Sequence, residues 1–392
     1  MHRLLRFLYF CAVCLLAACG GGGSAEGAVS VGMSAAARVG QQIFNDQTLS
    51  ASGAMSCATC HDPSIGHASP FTTPVAFGGQ NLDVPGTRLP PAIGYLKFNS
   101  GFKFDIDGTP MGGFFWDGRV NSLAEQGKKP FLGNNEMANL SAQDVISKIQ
   151  RASYAETFKQ VFGANIFNDP NAAFDRVGFA LERFQSEDSS FAPFSSKFDA
   201  VTAGKASFTE QEVRGLAWFN RSDKGNCTAC HPSTKPDNAP AALFTDFTYD
   251  SLGVPRNSDI SANAVPTFFD QGLCGSTRTD LSGRTDLCGK FKVPSLRNVA
   301  LRKRFFHNGK FDSLEQVVLF YVTRDTNPEN WYSKDSLGNV ISYDDLPASV
   351  RGNVNVTEGP YNRKLGQAPA LNAQEVADLV AFLQTLSDGY TP

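Results

Sequence analysis

Apolar positions along this chain recur mostly at helical spacing, and the helices they predict fall into two matching sets. Ser34 precedes Ala35 to Asn45, the pattern of an N-capped helix. Thr209-Glu210-Gln211-Glu212 is a capping box ahead of Val213 to Asn220. The two segments share a local pattern, Gly40-x-x-x-Phe44-Asn45 against Gly215-x-x-x-Phe219-Asn220. Near the C-terminus, Asn372-Ala373-Gln374-Glu375 caps Val376 to Leu386, whose apolar residues lie on one helical face. Phe174 to Gln185 is the expected counterpart in the first half, and another helical pair falls between Ser141 and Phe162. Val317, Val318 and Phe320 mark an apolar helix around Tyr321. Strand-like alternation is scarce. Pro63 to Gly113 and Pro232 to Lys290 are long and rich in Gly and Pro, and read as loops. With 392 residues the chain has room for two lobes, with the break near Ser195 to Ser207.

Each set leads into the same five-residue run. Cys57-Ala58-Thr59-Cys60-His61 comes twelve residues after Asn45, and Cys227-Thr228-Ala229-Cys230-His231 follows Asn220. C-x-x-C-H is the attachment signature of c-type haem. The two thiols add to the haem vinyl groups, and the adjacent histidine reaches the iron from the proximal side. Zinc held by cysteine and histidine is the rival reading. The histidine directly after each second cysteine and the helix before each run both favour haem. The expected fold is therefore mainly α: two cytochrome c-like domains, residues 34–200 and 201–392, each binding one covalent haem c and trailing long, haem-wrapping loops.

Composition changes this picture little. A net charge of -3 gives no case for a nucleic-acid partner, and 32 Phe suit a macrocycle and an ordinary core equally. The first residues change it more. Arg3 and Arg6 form a positive n-region, Leu4 to Leu16 a short apolar stretch, and Leu16-Ala17-Ala18-Cys19 a bacterial lipoprotein cleavage box. Residues 1–19 are read as a signal peptide, too short for a membrane span. Residues 20–33, with Gly20-Gly21-Gly22-Gly23-Ser24, are read as a flexible tether. The expected location is the bacterial periplasm or cell envelope, with membrane contact only through a lipid on Cys19. A plain signal with a coincidental cysteine is the other reading.

The cysteines then sort. Cys11, Cys14 and Cys19 lie in the leader and four belong to the haem motifs. Cys274 and Cys288 remain, an even pair in an oxidising compartment, where a disulfide closing the loop between them is expected.

The far side of each iron decides function. The methionines are Met1, Met33, Met55, Met111 and Met137, none in the second half. Outside the leader, the other histidines are His67 and His307. A second haem ligated by methionine would have to borrow it from the first half. Otherwise its ligand is unusual, and tyrosine is an accepted one, or its site is open.

Two further runs carry a resemblance. Phe115-Trp116-Asp117-Gly118-Arg119 followed by Glu136-Met137, and Pro294-Ser295-Leu296-Arg297-Asn298-Val299 followed by Phe306-His307-Asn308-Gly309, resemble the dihaem bacterial cytochrome c peroxidases and the related MauG enzymes. The resemblance implies roles. Trp116 matches the tryptophan between the haems that relays electrons. Gln126, Pro130 and Glu136 match the distal pocket of the first haem, Glu136 being the residue that handles protons during peroxide cleavage. Tyr321, fourteen residues after His307, stands where the peroxidases have a methionine. Tyrosine there is the MauG pattern, in which two irons share a high oxidation state after peroxide. His307 is expected beside the cofactor, as a partner of a ligand or of a haem propionate and not as a ligand itself. Cys274-Gly275, Cys288-Gly289 and the run Thr323 to Tyr332 are similar to a narrower MauG-like branch, found beside methanobactin-type copper-handling genes, whose members oxidise a tryptophan on a partner protein.

Two departures stand out. A distal histidine in the loop after the first motif is common in the peroxidases; here that loop offers only His67, six residues past His61 and so near in sequence that a plain loop role is expected. The family's calcium ion uses an asparagine side chain and two carbonyls, at positions matching Leu89, Arg302 and Arg304. The carboxamide is gone and two cations have arrived, which leaves calcium open. Three functions remain in play: a MauG-like enzyme that uses hydrogen peroxide to oxidise an aromatic residue of a partner protein by long-range electron transfer, a peroxidase fed by a small cytochrome or cupredoxin donor, and a pure electron carrier.

Overall fold

The computed structural model describes residues 32–391. The signal peptide, Cys19 and most of the tether lie outside that range. Ten helices carry the described fold. In the N-terminal half they are α1 (Ala35–Asn45), α2 (Cys57–Cys60), α3 (Leu123–Leu132), α4 (Ala142–Ile149), α5 (Ala155–Phe162) and α6 (Pro170–Glu187). Then follow α7 (Lys197–Thr202), α8 (Glu210–Asn220), α9 (Leu314–Thr323) and α10 (Ala373–Gln384). Among the described residues, sheet is confined to three two-residue antiparallel ladders: Phe77–Gly78 with Val84–Pro85, Lys103–Phe104 with Pro110–Met111, and Tyr249–Asp250 with Phe291–Lys292.

Caps fix the helix starts. Ser34 Oγ accepts from the Ala37 amide, and Thr209–Glu212 and Asn372–Glu375 form reciprocal capping boxes. Each half then repeats one crossing. α1 meets α6 at Gly40, where a Cβ would sit 2.0 Å from the Ala180 carbonyl oxygen; α8 meets α10 at Gly215, where a Cβ would sit 2.0 Å from the Asp378 carbonyl oxygen. Only glycine allows backbones this close.

Two hydrophobic cores result. One gathers Ile43, Phe44, Phe131, Val145, Phe158, Val177 and Phe184; the other gathers Phe198, Phe219, Phe244, Phe320, Phe382 and Leu386. Phe382 is the hub of the second, edge-on to Phe198, Phe208, Phe219 and Phe244.

A second repeat links loop to helix. Phe114 bridges Val120 and Phe305 bridges Phe311. Phe115 and Phe306 both have φ of 65°, and Gly118 and Gly309 close the turns at 63° and 58°. Ser122 then caps α3 and Ser313 caps α9, each ten residues long. Aligned on these turns and caps, Trp116 is in register with His307, and Pro130 with Tyr321, each of the latter two at the eighth helical position.

The long loops do not stay with their own half. Asp117, inside the Trp116 turn, is fully buried and holds Arg88 (2.6 Å), Arg119 (2.8 Å) and Thr277 Oγ1 (2.6 Å). Arg88 also pairs with Asp270 at 2.5 Å, and Arg278 donates to the carbonyls of Asp117 and Gly118. This charge cluster pins residues 270–278 of the C-terminal half onto the N-terminal turn. The Pro232 to Lys290 loop, expected as a haem-wrapping segment, thus also packs on the N-terminal half.

Candidate active site

The first C-x-x-C-H run opens on a cavity of about 360 Å³. Cys57, Cys60 and His61 line it, facing Gln126 and Pro130 from α3 and Glu136 from the turn after it. Phe268 to Gln271 and Gly275 to Thr277 close one wall. The second run opens on a cavity of about 180 Å³, lined by Cys227, Cys230, His231, His307, Tyr321 and Tyr361. Trp116 is in the wall of both. Its indole Nε1 donates to the Leu89 carbonyl at 2.8 Å, which fixes the ring between them.

The donor set suits haem c. The four motif thiols are not paired with each other, and burial pushes each up to about 12, so they are neutral thiols beside an apolar cavity. Burial pulls His61 and His231 down to about 4, which keeps both imidazoles neutral and able to donate a lone pair. His231 Nδ1 donates to the Phe244 carbonyl at 2.8 Å, leaving Nε2 as the ligating atom. His61 Nδ1 is buried without a hydrogen-bond partner among the described residues, with the backbone of His67 and Pro91 beside the ring. Among the described residues, no three Cys, His, Asp or Glu side chains converge as zinc would need.

His67 and Phe244 are thus counterparts, each behind the imidazole of its own half. The His67 ring stacks on Phe191 at 3.8 Å and meets Ser190 Oγ at 3.0 Å. It is on the His61 side, outside the cavity wall, and belongs to the packing.

Around the first cavity, burial raises the Glu136 carboxyl above its usual range, opposed by Arg119. That carboxyl has no ion pair among the described residues. Gln126 is 9% exposed. In the second cavity no methionine among the described residues is in the wall. Tyr321 is there, its ring 5.8 Å from Tyr361 and 5.7 Å from Phe306, and burial pushes its phenol up. His307 stacks on Phe291 at 3.6 Å, with Nε2 3.5 Å from Asp345.

At the three calcium-matching positions, the Leu89 carbonyl accepts the Trp116 indole, Arg302 donates to the carbonyls of Ser295 and Arg297, and Arg304 donates to that of Thr72. Cys274 and Cys288 are disulfide-bonded. Sequence reasoning missed the Arg88–Asp117–Asp270 cluster. Burial alone would raise Asp117, but Arg88 and Arg119 hold it down to about 2. Its partners lie 29 and 160 residues away in Arg88 and Thr277, so no local pattern announces them.

Residues 34–207 match the family model described as di-haem cytochrome c peroxidase. The methylamine utilization protein MauG of Paracoccus denitrificans (strain Pd 1222) is 33% identical over 90% of this chain and 89% of its own length. The diheme peroxidase BthA from Burkholderia thailandensis E264 superposes with a TM-score of 0.84 at 39% identity, over 90% of this chain and 86% of that one. A MauG-like protein associated with microbial copper homeostasis shares the fold, with a TM-score of 0.64 at 24% identity over 91% of each chain. The relatives are enzymes, which sets aside the pure electron carrier. With two c-type haem sites facing each other across one tryptophan, this chain belongs to the dihaem cytochrome c peroxidase and MauG family and is a haem peroxidase-type oxidoreductase.

Proposed function

We propose that this enzyme is MauG-like: it draws on hydrogen peroxide to oxidise an aromatic residue of a partner protein by long-range electron transfer. The observation that carries this reading is the inequality of the two cavities. Tyr321 stands in the wall of the second, and Pro130, which has no donor atom, stands at the matching place in the first.

In this reading residues 34–200 and 201–392 act as two cytochrome c-like domains. Cys57, Cys60, Cys227 and Cys230 would attach the haems, His61 and His231 would ligate the irons, and Tyr321 would supply a further ligand in the second cavity. When bound, the haems supply the iron redox chemistry by which peroxide gains two electrons. The chain supplies the rest. Reducing peroxide to two waters takes two protons, and a Glu136 kept protonated by burial has one to give at the departing oxygen. The Gln126 carboxamide orients that oxygen. Trp116, in both walls, carries electrons between the cavities. Both motif histidines line cavities that other side chains wall in, so a protein substrate is oxidised at the surface. We place the enzyme in the periplasm, anchored by a lipid on Cys19.

The second reading is a peroxidase fed by a small redox protein, and the family description itself favours it. Replacing Tyr321 with Phe separates the two. Under the MauG-like reading, the peroxide-induced spectrum and partner modification are both lost. Unchanged spectra and turnover in Tyr321→Phe would overturn it.

A further inference from the structure

Four tyrosines lead from the second cavity toward the surface. Tyr321 and Tyr361 stand in the cavity wall, with ring centroids 5.8 Å apart. Next to Tyr361 lies the Arg324 guanidinium, its central carbon 4.5 Å from the centroid of that ring and 5.3 Å from that of Tyr343. Tyr343 in turn meets Tyr332 edge-on at 5.6 Å. Of the four phenols, only that of Tyr343 donates to a carboxylate. It reaches Asp325 Oδ1 at 2.6 Å, while Arg324 holds Oδ2 of the same carboxylate at 2.6 Å. Tyr332 donates instead to the Gly253 carbonyl. Tyr343 is half-buried, so one ring of the run reaches the surface. Its backbone is left-handed, with φ of 60°, where a bulky residue rarely sits. Its ring packs against Gly253, where a Cβ would be 2.5 Å from Tyr343 Cδ1. Strain of this kind persists where the surroundings hold a side chain in one place.

A phenol gives up an electron readily only if its proton leaves as well, and a carboxylate within hydrogen-bond reach can take that proton. Burial and the Asp325 hydrogen bond push the Tyr343 phenol up to about 12, so at neutral pH it holds its proton until an electron is drawn away. We propose that Tyr343 and Asp325 form a proton-coupled relay that carries oxidising equivalents from the second cavity to the surface. In one step the Tyr343 O–H bond breaks. The electron passes through Tyr361 to the peroxide-oxidised site, which is reduced by one electron, and the proton moves to Asp325 Oδ1. A neutral tyrosyl radical is left beside a protonated Asp325. An electron from the partner, with the proton returned by Asp325, restores both and leaves the partner oxidised by one electron. Two such passages discharge the two electrons that peroxide took. The inference rests on the MauG-like reading and gives it a route out of the molecule.

The test is freeze-quench electron paramagnetic resonance of the holoenzyme mixed with hydrogen peroxide in the absence of partner, recorded together with its optical spectrum. The parent should give a tyrosyl signal that narrows when the protein carries ring-deuterated tyrosine. Tyr343→Phe should lose that signal and keep the optical response, and Asp325→Asn should form it at least about 10²-fold more slowly. Tyr343→Phe keeps the ring and the Arg324–Asp325 pair, so it carries the test if Asp325→Asn fails to fold. Tyr95 and Tyr154 also donate to carboxylates, Asp388 and Asp46, but outside this stack, and their Phe variants should leave the signal intact. A signal unchanged in Tyr343→Phe, or lost in Tyr95→Phe or Tyr154→Phe instead, would overturn the relay. A parent that responds optically to peroxide without a tyrosyl signal overturns the relay alone. A parent with no optical response overturns the MauG-like reading and the relay together.

Discussion

In the N-terminal half, the Phe114–Val120 turn leads into α3 and sets Pro130 at its eighth position; in the C-terminal half, the Phe305–Phe311 turn leads into α9 and sets Tyr321 there. Everything up to that point is shared: the left-handed Phe, the glycine closing the turn, the serine cap. The divergent pairs are few. Trp116 corresponds to His307, Pro130 to Tyr321, and near the imidazoles His67 to Phe244. A pyrrolidine ring offers no lone pair to a metal, whereas a phenol does. One frame used twice thus yields one wall with a potential ligand and one without, and the difference lies in single side chains.

The largest expected effect breaks the first wall. Glu136→Gln removes the acid while keeping its shape, and peroxide consumption should fall by about 10²–10⁴-fold in stopped-flow kinetics. Its pH profile should sharpen the point. The parent loses rate as pH rises through the elevated Glu136 value, because the acid must be protonated, and the variant should lack that alkaline limb. Next is the core beneath the second site. Phe382→Ala should cost about 3–5 kcal/mol by denaturant unfolding, because four aromatic neighbours lose their shared partner. The shared crossing comes third. Gly40→Ala and Gly215→Ala should each destabilise by about 1–3 kcal/mol through overpacking, and by similar amounts if the halves are true repeats. The smallest effect tests the proximal pair. His67→Phe, copying Phe244, should cost about 1 kcal/mol, the scale of its one side-chain hydrogen bond to Ser190, and leave the ferric spectrum unchanged. A changed axial signature would return His67 to the iron.

Legibility followed locality. Ser34, Thr209 and Asn372 announce their helices because a cap acts over three residues, and C-x-x-C-H states its chemistry within five. The side on which His67 falls is not local. Six residues from His61 the chain could turn either way, and the stack on Phe191 decides it from more than a hundred residues on. Lys292 looks like an ordinary surface lysine in sequence; only the pairing of Tyr249 with Lys292 sets it beside Trp116. The loop around Cys274 gave no sign of its destination, because the clamp that holds it is made by Arg88 and Asp117.

That clamp bears on biogenesis. A chain is made from its N-terminus. When Cys57 to His61 first emerge, one wall of their cavity, residues 268–277, has not yet been synthesised. The pocket that begins earliest in the chain is completed only after the second haem motif has also emerged.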